Sequence, residues 1–224
     1  NTLCAISYLV TSQQNEKAYD LIISLSEYYR ESLSKGNKII PLSTEIHIVK
    51  NYLKLQKVRF PDIFHDEYEL QEDVLACQIP RLILQPLVEN SLYHGIIPTC
   101  DYGIIKISAY TEKDHMILRI SDNGVGMSPE FVKHVFEPFE REATVTQSGI
   151  QGTGLGMAIT KNIIEMMNGE IEVESEVGKG STFTVTIGLK LQDVEKNAEQ
   201  IREIEGLRAL VVDDDCNVCD SVSK

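Results

Sequence analysis

The chain has 224 residues, 42% apolar and 25% charged, an ordinary composition for a water-soluble globular protein with one or two cores. Thirty-four acidic residues against 21 basic ones give a formal net charge of −13. That balance excludes nucleic acid and anionic membranes as general partners, because both require clustered Lys and Arg. Any phosphate site here must rest on local backbone donors and a metal ion. No run of about 18 apolar residues exists to span a membrane, and no signal peptide is visible. The cysteines are five, odd in number and scattered; Cys216 and Cys219 alone have a C-x-x-C spacing. Without a second pair or a His partner they read as reduced thiols of a cytosolic protein.

Taken in chain order, NTLCAISYLV reads as a helix already under way, with no initiator Met and no N-cap, as expected of a fragment. A second helix is predicted over Asn15–Ser34. Asn15 caps it, Ala18, Ile22, Leu25, Tyr29 and Leu33 form one seam, and Lys35-Gly36-Asn37 ends it. After Pro41, Ser43 is the expected cap of a third helix reaching Arg59, with Ile46, Val49 and Leu53 as its seam; Pro61 stops it. Helices of this kind cannot bury wide apolar stripes alone, so residues 1–60 are expected to form a helical hairpin that dimerises.

From residue 61 the period changes. Phe64–Leu70 reads as a strand, and Leu82–His94 as a helix that tolerates Pro86 in its first turn. Apolar alternation marks strands around Ile105/Ile107/Ala109 and Met116/Leu118/Ile120, then Glu170–Ser175 and Thr182–Leu189. Between them lie a helix over Pro129–Phe136, a polar loop from about Glu137 to Gly152, and a helix from Leu155 to Asn168, with Gly169 as its C′ residue. The fold class is α+β, a mostly antiparallel sheet with helices on one face over residues 61–190. Residues 191–206 are charged and read as a linker. Leu207–Val212 reads as a short strand ending in Asp213-Asp214-Asp215.

The chemistry concentrates in four segments. QGTGLGMAI (Gln151–Ile159) sets glycines at 152, 154 and 156 directly before a helix, where bare N–H groups and the helix dipole favour an anion. It is not the dinucleotide fingerprint, since Met157 occupies the place of the third glycine and no strand precedes it. It is not a Walker A loop, which requires G-K-[ST]. SDNGVGM puts Asp122 at a strand end with Gly124 and Gly126 beyond it; this carboxylate suits an exocyclic amine, or else forms an Asx turn. LVENS puts Glu89 and Asn90 on a helix, where Asn is mildly unfavourable; a Mg²⁺-binding carbonyl or a solvated face explains it. Gly178-Lys179-Gly180-Ser181-Thr182 turns into the last strand.

Asn90, Asp122-x-Gly124-x-Gly126, Phe136-x-x-Phe139, Gly152-x-Gly154-x-Gly156 and Gly178-x-Gly180-x-Thr182 together resemble the N, G1, F, G2 and G3 boxes of the histidine-kinase ATP-binding domain. This is the Bergerat fold, shared with gyrase and MutL. The N-terminal half, with KAYDLIISLSEYYRESLSKG, VKNYLKLQKVRF and IPRLILQPLVENSLYHGI, resembles sensor kinases of the LytS/YesM type. The resemblance implies a two-component protein-histidine kinase that uses ATP and Mg²⁺. It assigns the adenine amine to Asp122 with support from Thr182, and Mg²⁺ to Asn90. It assigns phosphate contacts to Gly152, Thr153, Gly154, Leu155 and Gly156, with Gly124, Gly126 and Phe139 shaping the site. Arg141 of the lid is a candidate for the γ-phosphate, and Glu89 for assisting deprotonation of the acceptor imidazole. Positioning and charge neutralisation supply most of what phosphoryl transfer needs.

The same resemblance implies a homodimer through the N-terminal helices and a receiver domain or response regulator as partner. The acceptor His is expected just upstream of Asn1, because Asn1-Thr2-Leu3 matches the end of the subfamily's acceptor motif; no histidine of this chain (His47, His65, His94, His115, His134) replaces it. This stretch alone is therefore expected to bind ATP without phosphorylating itself. LRALVVDDD resembles the first strand of a receiver, which implies a hybrid kinase, cytoplasmic here, its parent attached to a bacterial inner membrane through other parts. One position departs: the family often has Lys three residues after Asn90, where this chain has Tyr93, a neutral phenol expected to reduce affinity or turnover. Two other readings are an ATP-hydrolysing clamp, disfavoured by Pro86 in place of a water-activating carboxylate, and a non-catalytic nucleotide sensor.

Overall fold

The computed structural model describes residues 2–33, 38–99, 101–140 and 154–189. The assignments made above for the linker, the receiver-like strand and the cysteine pair lie outside the described residues.

Two helices open the chain. Helix α1 (Thr2–Thr11) turns at Gln13, whose φ of 57° is left-handed, into α2 (Asn15–Leu33). Ala18 and Leu21 of α2 bury against Leu9 of α1 and Leu55 of the following helix α3 (Leu42–Arg59). The expected α2 seam is shifted: Ile22 and Tyr29 face outward, at 46% and 52% exposure, while Leu21 and Ser24 are buried. The apolar surface of α2 is wider than one stripe, so packing against α3 takes one flank and leaves the other uncovered. Leu3, Tyr8 and Tyr19 enlarge that uncovered surface.

Helix α3 begins two residues earlier than expected. Pro41 stands at its N-cap without a side-chain bond, so Ser43 does not cap it. Its seam Ile46, Val49 and Leu53 is buried in the principal core, beneath the sheet. Short β1 (Ile39–Pro41) pairs antiparallel with β3 (Gln78–Pro80) and fastens the entrance of α3. The five-stranded sheet contains β2 (Phe64–Leu70), β4 (Gly103–Glu112), β5 (His115–Asp122), β6 (Glu170–Glu176) and β7 (Gly180–Gly188). Its order is β2-β4-β5-β7-β6, with β2 and β4 parallel and every other neighbour antiparallel. Ile105, Ile107, Ala109, Leu118, Ile120, Phe183 and Val185 point to the helical face, each no more than 1% exposed. Burial of side chains this size contributes about 1.5–3 kcal/mol apiece before entropy is charged against it.

Over this face lie α3, α4 (Leu84–Glu89) and α6 (Gly156–Met166), with α5 (Pro129–Val132) a single turn where a longer helix was expected. Ser128 caps α5 by accepting from the Phe131 N–H. Beyond Glu89, α4 widens into a π turn over Asn90–Ile96, a form found mostly at functional sites. At the end of α6 the left-handed residue is Asn168, with φ of 55°, not Gly169. Gly169 instead donates to the Ile164 carbonyl, and a Cβ on it would lie 2.8 Å from the Thr186 carbonyl oxygen of β7. The residue is glycine because strand and helix meet there.

Helix α4 has no local side-chain cap; the cap comes from α3. Glu45 is fully buried, and its two carboxylate oxygens accept from the backbone N–H groups of Leu82 and Leu84, both at 3.1 Å. Leu82 itself is left-handed, with φ of 62°. Burial pushes the Glu45 carboxyl above its ordinary range, and the N–H donors pull it back in part. Glu45→Ala should orphan both donors and lower unfolding free energy by about 1–3 kcal/mol for each. Glu45→Gln, which retains one acceptor oxygen, should lose less; equal losses in urea denaturation would refute the cap.

Candidate active site

The site forms where the π turn after α4 meets the end of β5. Asp122, the last residue of β5, is 8% exposed and pairs with Ser181 of β7. Its Oδ1 accepts from the Gly124 N–H at 2.9 Å, the Asx turn anticipated as one reading of DNG. Its Oδ2 is buried and has no hydrogen-bond partner among the described residues. The Ser91 hydroxyl is likewise buried and lacks a hydrogen bond of normal geometry, though it lies close enough to Asp122 to favour its charge. Burial pushes the Asp122 carboxyl up, while the Gly124 N–H, the Ser91 hydroxyl and the Ser181 backbone favour its charged form. A buried carboxylate oxygen without a hydrogen bond of normal geometry is poised for a donor from outside.

Two backbones meet beside it. A Cβ on Gly124 would lie 2.2 Å from the Gly95 carbonyl carbon, and a Cβ on Gly95 would lie 2.7 Å from Asp122 Oδ1. The Val125 N–H donates to the Gly95 carbonyl at 2.9 Å, closing the junction. Gly126 is left-handed, with φ of 67°, and a Cβ there would strike the Glu176 carbonyl oxygen. The loop between β6 and β7 is tied back by the Gly178 N–H, which donates to the Val125 carbonyl at 2.7 Å. The first and third glycine motifs are thus one interlocked structure around Asp122.

The second glycine motif behaves differently. Gly156 starts α6, and a Cβ there would meet only Pro86, at 3.7 Å, an ordinary contact. Among the described residues nothing requires glycine at 156. Leu155 precedes it as the N-cap residue. Gly154 is left-handed, with φ of 68°, and its carbonyl accepts from the Phe139 N–H at 2.9 Å. Phe139, also left-handed at 69° and 72% exposed, stands at the edge of the site. Arg141, Gly152 and Thr153 lie outside the described residues.

Asn90 opens the π turn, half-buried, and its carboxamide makes no hydrogen bond among the described residues. Glu89 is oriented by Gln85, whose Nε2 donates to Glu89 Oε1 at 2.8 Å. Thr182 is not brought to Asp122. Strand parity sends it to the other face of the sheet, where it lines a groove of about 760 Å³ with Ser121, Arg119 and Glu174. The residue that shares a face with Asp122 is Ser181, 6% exposed. Tyr93 is turned toward α3: its hydroxyl donates to Gln56 Oε1 at 3.0 Å and accepts from Arg59 at 2.9 Å. Ser91, Gly95 and Ser181 were not singled out from sequence. Gly95 gave no clear signal, since the helix was expected to end at His94 and glycine is common just past a helix end.

The family model described as histidine kinase-, DNA gyrase B-, and HSP90-like ATPase matches residues 78–191, and the histidine kinase model matches residues 1–64. The chain belongs to that ATPase family, and it is similar to sensor histidine kinases, among them proteins of the LytS/YesM kind. Sensor histidine kinase RcsC of Escherichia coli (strain K12) is 34% identical over 191 residues, covering 82% of this chain and 20% of RcsC. Sensor histidine kinase YesM of Bacillus subtilis (strain 168) is 28% identical over 190 residues, covering 84% of this chain and 30% of YesM. The chain therefore spans under a third of either relative. Among solved structures, the catalytic domain of histidine kinase ThkA superposes with a TM-score of 0.52 at 24% identity, over 67% of this chain and 93% of that one, a likeness of fold. No described helix is long and apolar enough to cross a membrane.

Asp122 provides a test that needs no ligand. Its folded-state pKa is raised, so its contribution to stability is present below the unfolded value and is lost as pH rises through the folded one. Asp122→Asn keeps the Gly124 bond and removes the buried charge. It should raise the melting temperature at neutral pH, with the gap closing as the buffer is brought down through the carboxylate range. A variant that melts lower than wild type at neutral pH would show that the carboxylate is structurally satisfied.

Proposed function

We propose that this chain is the ATP-binding catalytic part of a protein-histidine kinase, which passes the γ-phosphate of ATP to a histidine preceding Asn1 in a longer protein. The observation that carries the reading is the buried, unpartnered Asp122 Oδ2, an acceptor matched to the exocyclic amine of adenine. The Ser91 hydroxyl and the Ser181 backbone flank it. The head of α6, with Gly154, Leu155 and Gly156, offers backbone N–H groups and the positive end of an eleven-residue helix to the phosphates. By the family resemblance, Gly152 and Thr153 are further candidates for phosphate contact, and Arg141 for the γ-phosphate.

Asn90 fits Mg²⁺. Its carboxamide oxygen is uncommitted, and no cluster of three His, Cys, Asp or Glu side chains exists among the described residues. A magnesium ion bound by one protein oxygen, water and substrate phosphates is the usual arrangement for a nucleotide site. When bound, the ion would neutralise charge on the triphosphate; Asn90 orients it, and Glu89 is the candidate acid near the acceptor. Pro86, which packs at the head of α6, offers no carboxylate to activate water, which favours transfer over hydrolysis. The engagement of Tyr93 with α3 supports a reading in which it braces the π turn rather than touching phosphate. The uncovered apolar side of α1 and α2 supports a homodimer, and a receiver domain or response regulator is the onward partner.

Calorimetric titration of the chain with Mg-ATP should show binding that Asp122→Asn abolishes and Asn90→Ala weakens, with the Asn90→Ala affinity insensitive to chelation of Mg²⁺. GTP, which presents a carbonyl where adenine has an amine, should bind more weakly by up to on the order of 10⁴. Absence of Mg-ATP binding, or equal affinity for GTP, would sink the reading. In sedimentation, Ile22→Glu should convert a dimer to monomer with no loss of nucleotide binding; a wild-type monomer at high concentration would remove the dimer proposal.

A further inference from the structure

The acid Glu89 is not held by the nucleotide site alone. Gln85, one turn before it on α4, uses both amide hydrogens: Nε2 donates to Glu89 Oε1 at 2.8 Å and to the Tyr28 hydroxyl of α2 at 2.8 Å. Its own Oε1 is buried without a partner, so nothing else in the described protein fixes the amide's orientation. Tyr28 packs its ring 6.0 Å from that of Tyr52 on α3. The charge of Glu89 makes ionisation of both phenols less favourable, beyond the larger effect of their burial, so carboxylate and phenols share one enclosure. Helix α2 thereby touches, through a single side chain, the residue preceding Asn90.

We propose that Gln85 is a positioning residue that clasps α2 to Glu89, so that the placement of the N-terminal helices and the occupancy of the nucleotide site are energetically coupled. The inference rests on the nucleotide reading above and adds to it the path by which the helices are felt there. Gln85 is suited to this because its two amide hydrogens reach two elements at once. Displacement of α2 would remove one of the two anchors of the amide and release Glu89 from a fixed direction. Coupling is reciprocal, so nucleotide must alter the stability of α2 as much as α2 alters nucleotide binding.

The test is hydrogen–deuterium exchange of the chain with and without saturating Mg-ATP, read over the α2 peptide containing Tyr28. In the wild type, nucleotide should change exchange there by at least about fivefold, the lower end of the usual range for coupled sites. Gln85→Leu and Tyr28→Phe should each still bind Mg-ATP and each abolish that response, and the double variant should add nothing further. Tyr28→Phe removes only a hydroxyl and guards against a folding defect in Gln85→Leu. A merely structural Gln85 would lower the melting temperature and leave the response intact, which overturns the clasp. A wild-type chain that binds Mg-ATP without any change in α2 overturns it as well. Failure of the wild type to bind Mg-ATP, read separately by titration, overturns the nucleotide reading and the clasp together.

Discussion

Everything in the site depends on how closely two backbones approach. Gly95 of the π turn and Gly124 beyond β5 touch at a separation that leaves no room for a side chain on either. That contact brings the Asn90 turn against the end of the sheet and presses the Asp122 carboxyl into a wall it cannot leave. The Gly124 N–H satisfies one carboxylate oxygen, and the packing denies a partner to the other. A residue larger than glycine at 95 would relieve the enclosure, and the carboxylate would find water. The single buried acceptor is thus a product of backbone packing rather than of an assembled set of polar side chains.

The helical side of the molecule is organised by a second buried carboxylate with a different task. Glu45 meets the two N–H groups that open α4, so α3 and α4 are fixed end to side rather than merely greased together. Because α3 is also the floor on which α2 packs, the position of α4 depends on three helices. The polar contacts from Gln85 to Tyr28 and from Tyr93 to Gln56 and Arg59 run along the same seam. A helix that carries site residues is here braced on the side away from the sheet.

The strands were legible in the sequence because one face of the sheet is dry: Ile105/Ile107/Ala109 and Phe183/Val185/Ile187 alternate cleanly, and period two admits a single register. The same parity, carried two residues back from Phe183, lands on Ser181 rather than Thr182, so the misplaced partner of Asp122 was recoverable from pattern. The α2 seam was less legible, because a helix with apolar residues on two flanks does not announce which one α3 will take. The Glu45 cap was invisible: an acid in the first turn of one helix gives no sign that its partners are amides some forty residues away. The π turn was also hidden, since Asn90–Ile96 has no composition that separates it from an α-helix. Its wider winding changes which side chains stack, which is why Tyr93 turns to α3 although simple helical spacing would keep it near Asn90.

Phe139 and Gly154 close a small door frame. Their backbones share a hydrogen bond, and both adopt left-handed conformations, so residues 139 and 154 are held side by side. The length of chain between them is therefore decoupled from the rest of the molecule. Doubling a loop whose ends already meet costs only about 0.6 kcal/mol in closure entropy. The core, the Asp122 wall and the head of α6 would not register the difference. The frame marks the place where residues can be added or removed at least expense to the fold.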